Sequence, residues 1–410
     1  MSDVSDEKKK VSFRINLFET SLGGHRPRYL REIICGLKEH LHDCDLRLCI
    51  FESHRKDPGY MEFLHPLEDQ FWLCRLENRN PQGRFRSEMT RLRLLSDCIR
   101  RYPCDRAIIP YGDGLVPLMG MLPRWLIRQL FPENVQFESI VFRPEWAYPT
   151  TSRWHRWYHA LRRYGTRRWP GWRLHLSDRN AFNEANRSPE QFSARISLIP
   201  EVFEEWTTLP KDQALAWLLS HGYLKEAPGG IDYFSDIISP PGSLSNRKGV
   251  AELIEAFVAD RGRKAILLLW EVVPLEVQQV LDRRSVSWRG DPRIVVVDRY
   301  VNEEAFRALF SVSDLIVLPY QFNLGGVSSI YLLSAIHRKK TLCDDRAWLG
   351  WASKTYQHGL AMNSTEPSTI AYHLGCILEG ATVPIASEKV AAELRSECMT
   401  GGFRKCWAVE

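Results

Sequence analysis

The chain lacks the sequence features that define several large classes of protein. No apolar run approaches the roughly 18 residues that a helix needs to cross a bilayer, so no transmembrane helix is predicted. Walker A and GxGxxG motifs are absent, as is any pattern typical of a Ser-His-Asp triad. The 10 cysteines include no CxxC pair. This predicts reduced thiols and a cytoplasmic location rather than a disulfide framework.

Acidic residues are missing from residues 321–343 and nearly missing from residues 143–173. The second segment holds eight Arg, no Lys, five Trp and one acid, Glu145, so its charge of +7 exceeds the net +5 of the chain. This mixture suits a polyanionic acceptor or an anionic membrane, on whose inner face the protein would lie peripherally. Arg-stacked helices covering a core would have the same composition. Nucleic acid is not an expected partner, because no nucleic-acid motif accompanies the charge.

The chain is long enough for two domains, with 410 residues of which 44% are hydrophobic. Short apolar strands alternate with helical stretches in both halves, and residues 201–230, rich in Pro and Gly, interrupt the alternation. This predicts an α/β fold with two Rossmann-like, doubly wound domains. We expect an N-terminal domain over 1–205, a connection over 206–230 and a C-terminal domain over 231–385. A helical tail over 386–410 is expected to pack back on the N-terminal domain.

The most informative segment is a glycine turn with two adjacent cations before an amphipathic helix. Residues 242–249 read GSLSNRKG, which places Arg247 and Lys248 just before a helix beginning near Val250. Apolar residues at i, i+3, i+4 and i+7 give that helix one buried face. Cations oppose the helix dipole there, so the arrangement favours a bound anion. A solvated basic turn is the alternative interpretation.

A second segment has the layout of a phosphate-binding site. Residues 315–320 read as a buried strand, the loop over 321–329 is rich in Gly and Ser, and an apolar helix follows from Ile330. A strand, a glycine-rich loop and a helix can direct backbone N–H groups at a phosphate. Two such segments in one half of the chain suggest a single ligand with two phosphates.

Together these segments resemble the family 4 glycosyltransferases, retaining enzymes with the GT-B fold. The resemblance covers roughly residues 230–380, where the run SDLIVLPY also matches. It is weaker at the N-terminus, where Phe13–Phe18 resembles a first strand and Gly23-Gly24-His25 the glycine loop after it. The resemblance implies two Rossmann-like domains facing across a cleft.

The resemblance also implies a role for individual residues. Arg247 and Lys248 would hold the diphosphate of a nucleotide-sugar donor and stabilise the leaving group, and the residues around Tyr300 would lie against the base. The resemblance assigns the acceptor side to residues 1–205 and nucleotide-sugar binding to residues 231–385. Apart from the resemblance, position makes Arg143 and Asp113 candidates to bind the acceptor, although Asp113-Gly114 is also ordinary turn chemistry. Glu145, the one acid in a basic stretch, is a candidate to accept a proton or bind an acceptor hydroxyl. The remaining donor-side positions are Gly23, Gly24, His25, Val301, Gly325, Gly326, Ser328, Ser329 and Ser334.

The chain departs from this family at two glutamates that members carry eight residues apart. Those positions fall on Gly326 and Ser334, and Ser334 can offer one hydrogen bond where a glutamate would make a charged, bidentate one. The segment Arg143-Pro144-Glu145 likewise stands where many members have a His-Asp pair.

The resemblance predicts transfer of a sugar from a UDP- or GDP-sugar to a glycan or lipid-linked acceptor. Retention is expected, with no essential metal and no cofactor besides the nucleotide-sugar. The missing glutamates leave open a non-catalytic GT-B protein that binds nucleotide or glycan as a partner subunit. A sugar-nucleotide epimerase is a third hypothesis, which would need acids or histidines at the donor sugar.

Overall fold

The computed structural model describes residues 13–22, 26–76, 84–148, 153–225, 236–260, 264–321, 326–398 and 400–407. This part of the chain divides into two compact units. The first comprises the described residues up to Phe142, Trp157–Val202 and those from Thr400 on. The second comprises the described residues of Arg143–Arg156 and those from Phe203 to residue 398.

The first unit is built on a seven-stranded parallel sheet with the strand order β3-β2-β1-β4-β5-β6-β7. Helices connect consecutive strands, as parallel pairing requires. In chain order the elements of the N-terminal half are β1 (Arg14–Phe18), α1 (Arg26–His40), β2 (Asp45–Phe51), α2 (Pro58–Phe63), β3 (Trp72–Leu76), α3 (Arg84–Arg101), β4 (Arg106–Ile109), α4 (Leu115–Met121), α5 (Arg124–Leu130), β5 (Gln136–Val141), α6 (Arg153–Arg167), β6 (Arg173–Leu176), α7 (Arg179–Arg187) and β7 (Arg195–Leu198).

The second unit repeats the arrangement on a six-stranded parallel sheet, in the order β10-β9-β8-β11-β12-β13. Strands β9 and β11 are buried at every residue because helices cover both faces of the sheet. The remaining elements are α8 (Lys211–Ser220), β8 (Asp236–Ser239), α9 (Val250–Ala259), β9 (Ala265–Leu269), α10 (Leu275–Arg283), β10 (Ile294–Val296), α11 (Glu303–Val312), β11 (Leu315–Leu318), α12 (Ser329–Ile336), β12 (Lys340–Asp344), α13 (Ala347–Tyr356), β13 (Leu360–Met362), α14 (Pro367–Leu378), α15 (Glu388–Cys398) and α16 (Thr400–Lys405).

These sheets confirm the predicted α/β fold class with two doubly wound, Rossmann-like units. The strand order reverses between β1 and β4 in the first unit and between β8 and β11 in the second. At such a reversal the loops leaving the carboxyl ends of the two strands diverge and open a crevice, where α/β proteins bind ligands. No helix of the described chain combines the length and the apolar character that spanning a bilayer requires.

The sequence pattern does not predict the edge strands β3 and β13. Trp72 of β3 is 72% exposed and the strand buries only two of its five residues. An edge strand with so little apolar burial gives no continuous hydrophobic run, which is the pattern that identifies the central strands.

Candidate functional site

The cationic loop of the second unit leads from β8 into α9. Residues Asn246–Lys248 form a 3-10 turn, and Gly249 then adopts φ +69°, a left-handed conformation that glycine tolerates best. Helix α9 begins at the next residue, Val250, as the spacing of its apolar residues predicts. A Cβ atom at Gly249 would lie 1.9 Å from the carbonyl oxygen of Pro319, so only glycine fits between this loop and the end of β11.

The loop after β11 is fixed to the cationic loop and then capped. The amide of Gln321 donates a 2.9 Å hydrogen bond to the carbonyl oxygen of Arg247. Further along, the Ser328 hydroxyl caps α12 by accepting from the amide of Tyr331 at 3.3 Å, and it lies 3.2 Å from the Tyr320 hydroxyl. The two predicted phosphate-binding segments therefore meet at the strand-order reversal of the second sheet.

The two cations are poorly compensated within the protein. Among the described residues neither Arg247 nor Lys248 has a carboxylate at ion-pair distance, and the Lys248 ammonium contacts only the carbonyl oxygen of Pro241, at 3.5 Å. Part of the Lys248 side chain remains exposed, but protein atoms crowd its ammonium end. Burial and then the charge of Arg247 lower the pKa of Lys248 to about 8. Burial also lowers the pKa of the Arg247 guanidinium, and so does the charge of Arg143.

The carboxylate of Glu271 holds the beginning of the cationic loop. Glu271, just past the end of β9, accepts a hydrogen bond from the amide of Leu244 and so holds the start of the turn. Burial raises the pKa of Glu271, while Lys248 and the Leu244 amide act in the opposite direction. Glu271 is therefore a positioning residue, and the sequence analysis missed it. An acid directly after a fully buried strand is the pattern that points to it.

A second polar network holds the loop after β11 from the side of β12. Arg346 donates to the carbonyl oxygen of Tyr320 at 3.1 Å and to the Thr365 hydroxyl at 3.0 Å. It also pairs with Asp344 at 2.7 Å. Thr365 in turn donates to the side chain of Gln321 at 3.3 Å. These polar groups satisfy one another, so their role is to position the loop.

The predicted donor-side residues occupy different environments. Gly326 has φ +124° and precedes the cap of α12, and Ser329 is the first residue of that helix. Ser334 is fully buried, and its hydroxyl donates to the carbonyl oxygen of Ile330 at 2.8 Å. Its hydroxyl proton is therefore used within α12 in this conformation. Gly23, Gly24, His25 and Gly325 lie outside the described residues.

The predicted base-side and acceptor-side residues fall in both units. Tyr300 is 51% exposed and Val301 half-buried between β10 and α11 of the second unit. Asp113, partly buried, lies after β4 of the first unit, where its backbone carbonyl accepts from Arg162. Arg143 belongs to the second unit and is exposed. Its effect on the pKa of Arg247 and of Lys248 places it near the cationic loop.

The Arg- and Trp-rich segment divides between core and surface. Trp146 and Trp169 are 3% and 0% exposed, whereas Trp154 and Trp157 of α6 are 68% and 56% exposed. Glu145 begins a 3-10 turn, and its side chain is not among those described. In the described part of the chain no group of three or more His, Cys, Asp or Glu could hold a metal ion.

Comparison with known proteins adds evidence on the fold. No protein-family model matches the sequence, and no curated protein matches it. The solved structure of sucrose-phosphate synthase from Thermosynechococcus elongatus is similar, with 15% identity, a TM-score of 0.67, and coverage of 96% of this chain and 97% of that one. Anabaena HepE in complex with UDP and glucose is 12% identical with a TM-score of 0.63, over 97% of this chain and 98% of that one.

The UDP-GlcNAc 2-epimerase from Neisseria meningitidis, solved bound to UDP-GlcNAc, is also similar. It is 13% identical with a TM-score of 0.58, and the match covers 94% of this chain and 99% of that one. The match extends over nearly the whole chain in all three cases. The protein therefore has the GT-B fold, as the sequence resemblance predicts.

Proposed function

We propose that this protein is a glycosyltransferase that takes its sugar from a nucleotide-sugar donor. The observation that carries the proposal is the loop with Arg247 and Lys248, two cations at the strand-order reversal of the second sheet with no carboxylate of the described residues at ion-pair distance. A diphosphate would supply the missing negative charge. The loop after β11 and the capped N-terminus of α12 adjoin the same place and favour an anion.

The donor is proposed to be a UDP-sugar first and a GDP-sugar second. Solved structures with this fold contain UDP, UDP-glucose or UDP-GlcNAc, which supports a uridine nucleotide. The exposed ring of Tyr300, in the stretch after β10, would contact the base. Tyr300 follows β10, the strand that pairs with β9. A nucleotide whose diphosphate lies at the cationic loop would extend toward β10 to reach this ring.

The chemistry proposed for the site is stabilisation of the leaving nucleotide. As the glycosidic bond breaks, negative charge grows on the diphosphate, and fixed cations that need no reorganisation lower the energy of that state. Arg247 and Lys248 would perform this task without an essential metal, and the reaction would retain the anomeric configuration. Loss of one charge-assisted contact from this set should cost about 1.5–3 kcal/mol.

The proposal is tested by thermal stability against UDP, GDP, ADP, TDP and their common sugar conjugates. A ligand at a hundredfold excess over its Kd should stabilise the folded state by about 2.7 kcal/mol. We expect one nucleotide class to raise the melting temperature of the wild type and to raise that of Lys248→Met by clearly less at the same concentration. Transfer is then assayed with the identified donor and a panel of acceptors. If no nucleotide binds, the proposal fails.

A non-catalytic nucleotide-binding protein is the second candidate function. The observation that favours it is Ser334, which stands where the resemblance places a glutamate and which is buried and internally bonded. This candidate predicts a nucleotide-induced rise in melting temperature without release of UDP from any UDP-sugar. An epimerase would instead interconvert two UDP-sugars, which product analysis by NMR distinguishes from both.

The acceptor is proposed to be a glycan or a lipid-linked sugar, with α6 holding the protein at an anionic membrane. Helix α6 carries five Arg and no acid, and Trp154 and Trp157 are exposed on it. Cationic and aromatic side chains together bind anionic lipid surfaces. Sedimentation with phosphatidylglycerol vesicles should recover the wild type and should recover less of a Trp154→Ser/Trp157→Ser variant. Equal recovery of both would exclude this surface.

A further inference from the structure

A buried carboxylate lies at the strand-order reversal of the first unit. Glu19 directly follows β1 and is 0% exposed. Its Oε1 atom accepts three hydrogen bonds, from the amides of Thr20 at 2.8 Å and Ser21 at 3.0 Å and from the guanidinium of Arg26 at 3.0 Å. These bonds fix the orientation of the carboxylate within the loop that leaves the central strand.

The second oxygen of the same carboxylate has no partner. Glu19 Oε2 is buried, and no group among the described residues donates a hydrogen bond to it. Leaving a buried carboxylate oxygen unbonded is costly, so such atoms are normally satisfied by protein, water or ligand. Oε1 alone accepts the three hydrogen bonds that hold the loop, so Oε2 has no role in holding it. No donor in the described part of the chain reaches this atom, and a bound ligand would supply the missing hydrogen bond.

The groups around Glu19 limit what that donor can be. The Arg26 guanidinium pairs with Glu19 and stacks on the ring of Tyr111, with its Cζ 4.1 Å from the ring centroid. Tyr111 follows β4, the strand across the reversal, and its ring also stacks on that of Phe142, with the centroids 4.5 Å apart. The Arg26 guanidinium thus lies between Glu19 and an aromatic pair, and it balances the charge of the Glu19 carboxylate.

His54 completes the cluster from the turn after β2. Its Nδ1 atom is buried and has no hydrogen-bond partner among the described residues. Burial lowers the pKa of His54, and the charges of Asp57, Glu19 and Arg26 act on it as well. The ring is therefore neutral near pH 7 and offers one donor and one acceptor. Two buried polar atoms without partners thus lie in one electrostatic neighbourhood.

We propose that Glu19 and His54 form a subsite that binds the hydroxyl groups of a neutral sugar. A carboxylate oxygen requires a donor, which a sugar hydroxyl supplies and a phosphate at neutral pH does not. The ion pair with Arg26 leaves no net positive charge to attract a phosphate. Resting on the function proposed above, this ligand is the acceptor of the transfer, and the subsite lies in the first unit while the donor site lies in the second.

The decisive variant is Glu19→Gln. Its amide oxygen can still accept from Thr20 and Ser21, but its NH₂ group places a donor where Oε2 was an acceptor. Ligand-observed NMR would measure binding of D-glucose, D-mannose, D-galactose and N-acetyl-D-glucosamine, with D-glucose 6-phosphate as the charged comparison. The matched control is Glu52→Gln, an acid of the same unit that is about half exposed and paired with Arg75.

We expect at least one neutral sugar to bind the wild type and Glu52→Gln equally and to bind Glu19→Gln at least tenfold more weakly. The phosphorylated sugar should bind no more tightly than its neutral parent. If Glu19→Gln does not fold, His54→Phe removes the second unpartnered atom and should weaken binding of the same sugar. Equal binding by wild type and Glu19→Gln, or binding of none of the neutral sugars, would overturn the subsite.

A parallel titration with UDP separates this proposal from the proposed function. Glu19→Gln should keep the UDP affinity of the wild type, because the two sites belong to different units. Absence of UDP binding by the wild type would count against the donor site, while a sugar affinity lost in Glu19→Gln would still establish the subsite. A crystal structure of the sugar-soaked protein with only water at Oε2 would contradict it.

Discussion

The amide of Gln321 and the carbonyl oxygen of Arg247 are joined by a 2.9 Å hydrogen bond, so the loops leaving β8 and β11 form one rigid piece. Gly249 makes this contact possible, since any side chain there would collide with the carbonyl oxygen of Pro319. The positions of Arg247 and Lys248 therefore depend on Gly249 and on backbone hydrogen bonds. Their arrangement can be altered without touching a charged residue.

The first prediction follows from that glycine. Gly249→Ala would combine a left-handed φ of +69° with a Cβ atom 1.9 Å from the Pro319 oxygen. We expect a loss of stability of about 2–4 kcal/mol, since left-handed strain alone costs roughly 1–3 kcal/mol. UDP binding should also be lost, because the loops must separate. Urea denaturation and a UDP titration measure the two effects.

Gly290→Ala is the matched control for this variant. Gly290 has φ +86°, and nothing lies within 4 Å of a Cβ atom built there. It therefore carries the backbone strain without the collision, and we expect a smaller loss of stability with unchanged UDP affinity. If the two variants lost equal stability, the contact between Gly249 and Pro319 would be of no energetic importance.

The second prediction concerns the stability cost of the cationic loop. The pKa of Lys248 falls from 10.5 to about 8 in the folded state, so the unfolded chain holds this proton more tightly. Lys248→Met should therefore stabilise the ligand-free protein at pH 7, by roughly 1–2 kcal/mol once partial exposure is allowed for. The same variant should bind UDP more weakly. A melting temperature lower than that of the wild type would contradict the assignment.

The third prediction concerns a buried ion cluster away from the candidate site. Glu138 of β5 lies 3.6 Å from Arg106, 3.5 Å from Arg173 and 3.7 Å from His175. Burial acts to raise the pKa of Glu138, but the nearby His175 ring and the two arginine charges outweigh it and leave that pKa lowered. Glu138→Gln would leave Arg106 buried without its counter-charge, which should cost about 3–5 kcal/mol.

The pH dependence gives an independent check of the same cluster. A carboxyl whose folded pKa is depressed stabilises the protein above its unfolded pKa, and this contribution is lost as pH falls through the folded pKa. The wild type should therefore lose more stability between pH 6 and acid pH than Glu138→Gln does. Glu133→Gln, in an exposed pair with Arg128 at 3.1 Å, should behave like the wild type throughout.

The sequence predicts the buried central strands and the longer helices better than the edge strands and short helices, because burial imposes a regular apolar pattern. Helix α9 begins at Val250, as its apolar spacing predicts, and α12 begins at Ser329, one residue before the predicted Ile330. Each packs an apolar face on a sheet, which imposes a period near 3.6. Helices α4 and α5, of seven residues each, are too short to show that period.

The residues of the candidate site likewise differ in whether the sequence predicts them. Arg247 and Lys248 are visible in the sequence because a local pattern of turn, cations and helix carries them. Glu271 and Arg346 are not, because their importance depends on partners that the fold brings near, namely Leu244 and Tyr320. Such contacts join residues distant in sequence and leave no periodicity.

The fourth prediction links donor binding to a proton. With a pKa of about 8, Lys248 is partly neutral in the free protein at pH 8, and a bound diphosphate would favour its charged form. Binding of UDP should therefore take up a fraction of a proton at pH 8 and less at pH 6.5, where the ammonium is already formed. Affinity should decrease as pH rises above 8, because protonating the lysine then opposes binding. Calorimetric titrations in phosphate and Tris buffers, whose ionisation enthalpies differ, would measure this uptake. Lys248→Arg keeps a permanent charge and should bind UDP without the pH-dependent uptake, whereas equal uptake in both proteins would assign the proton to another group.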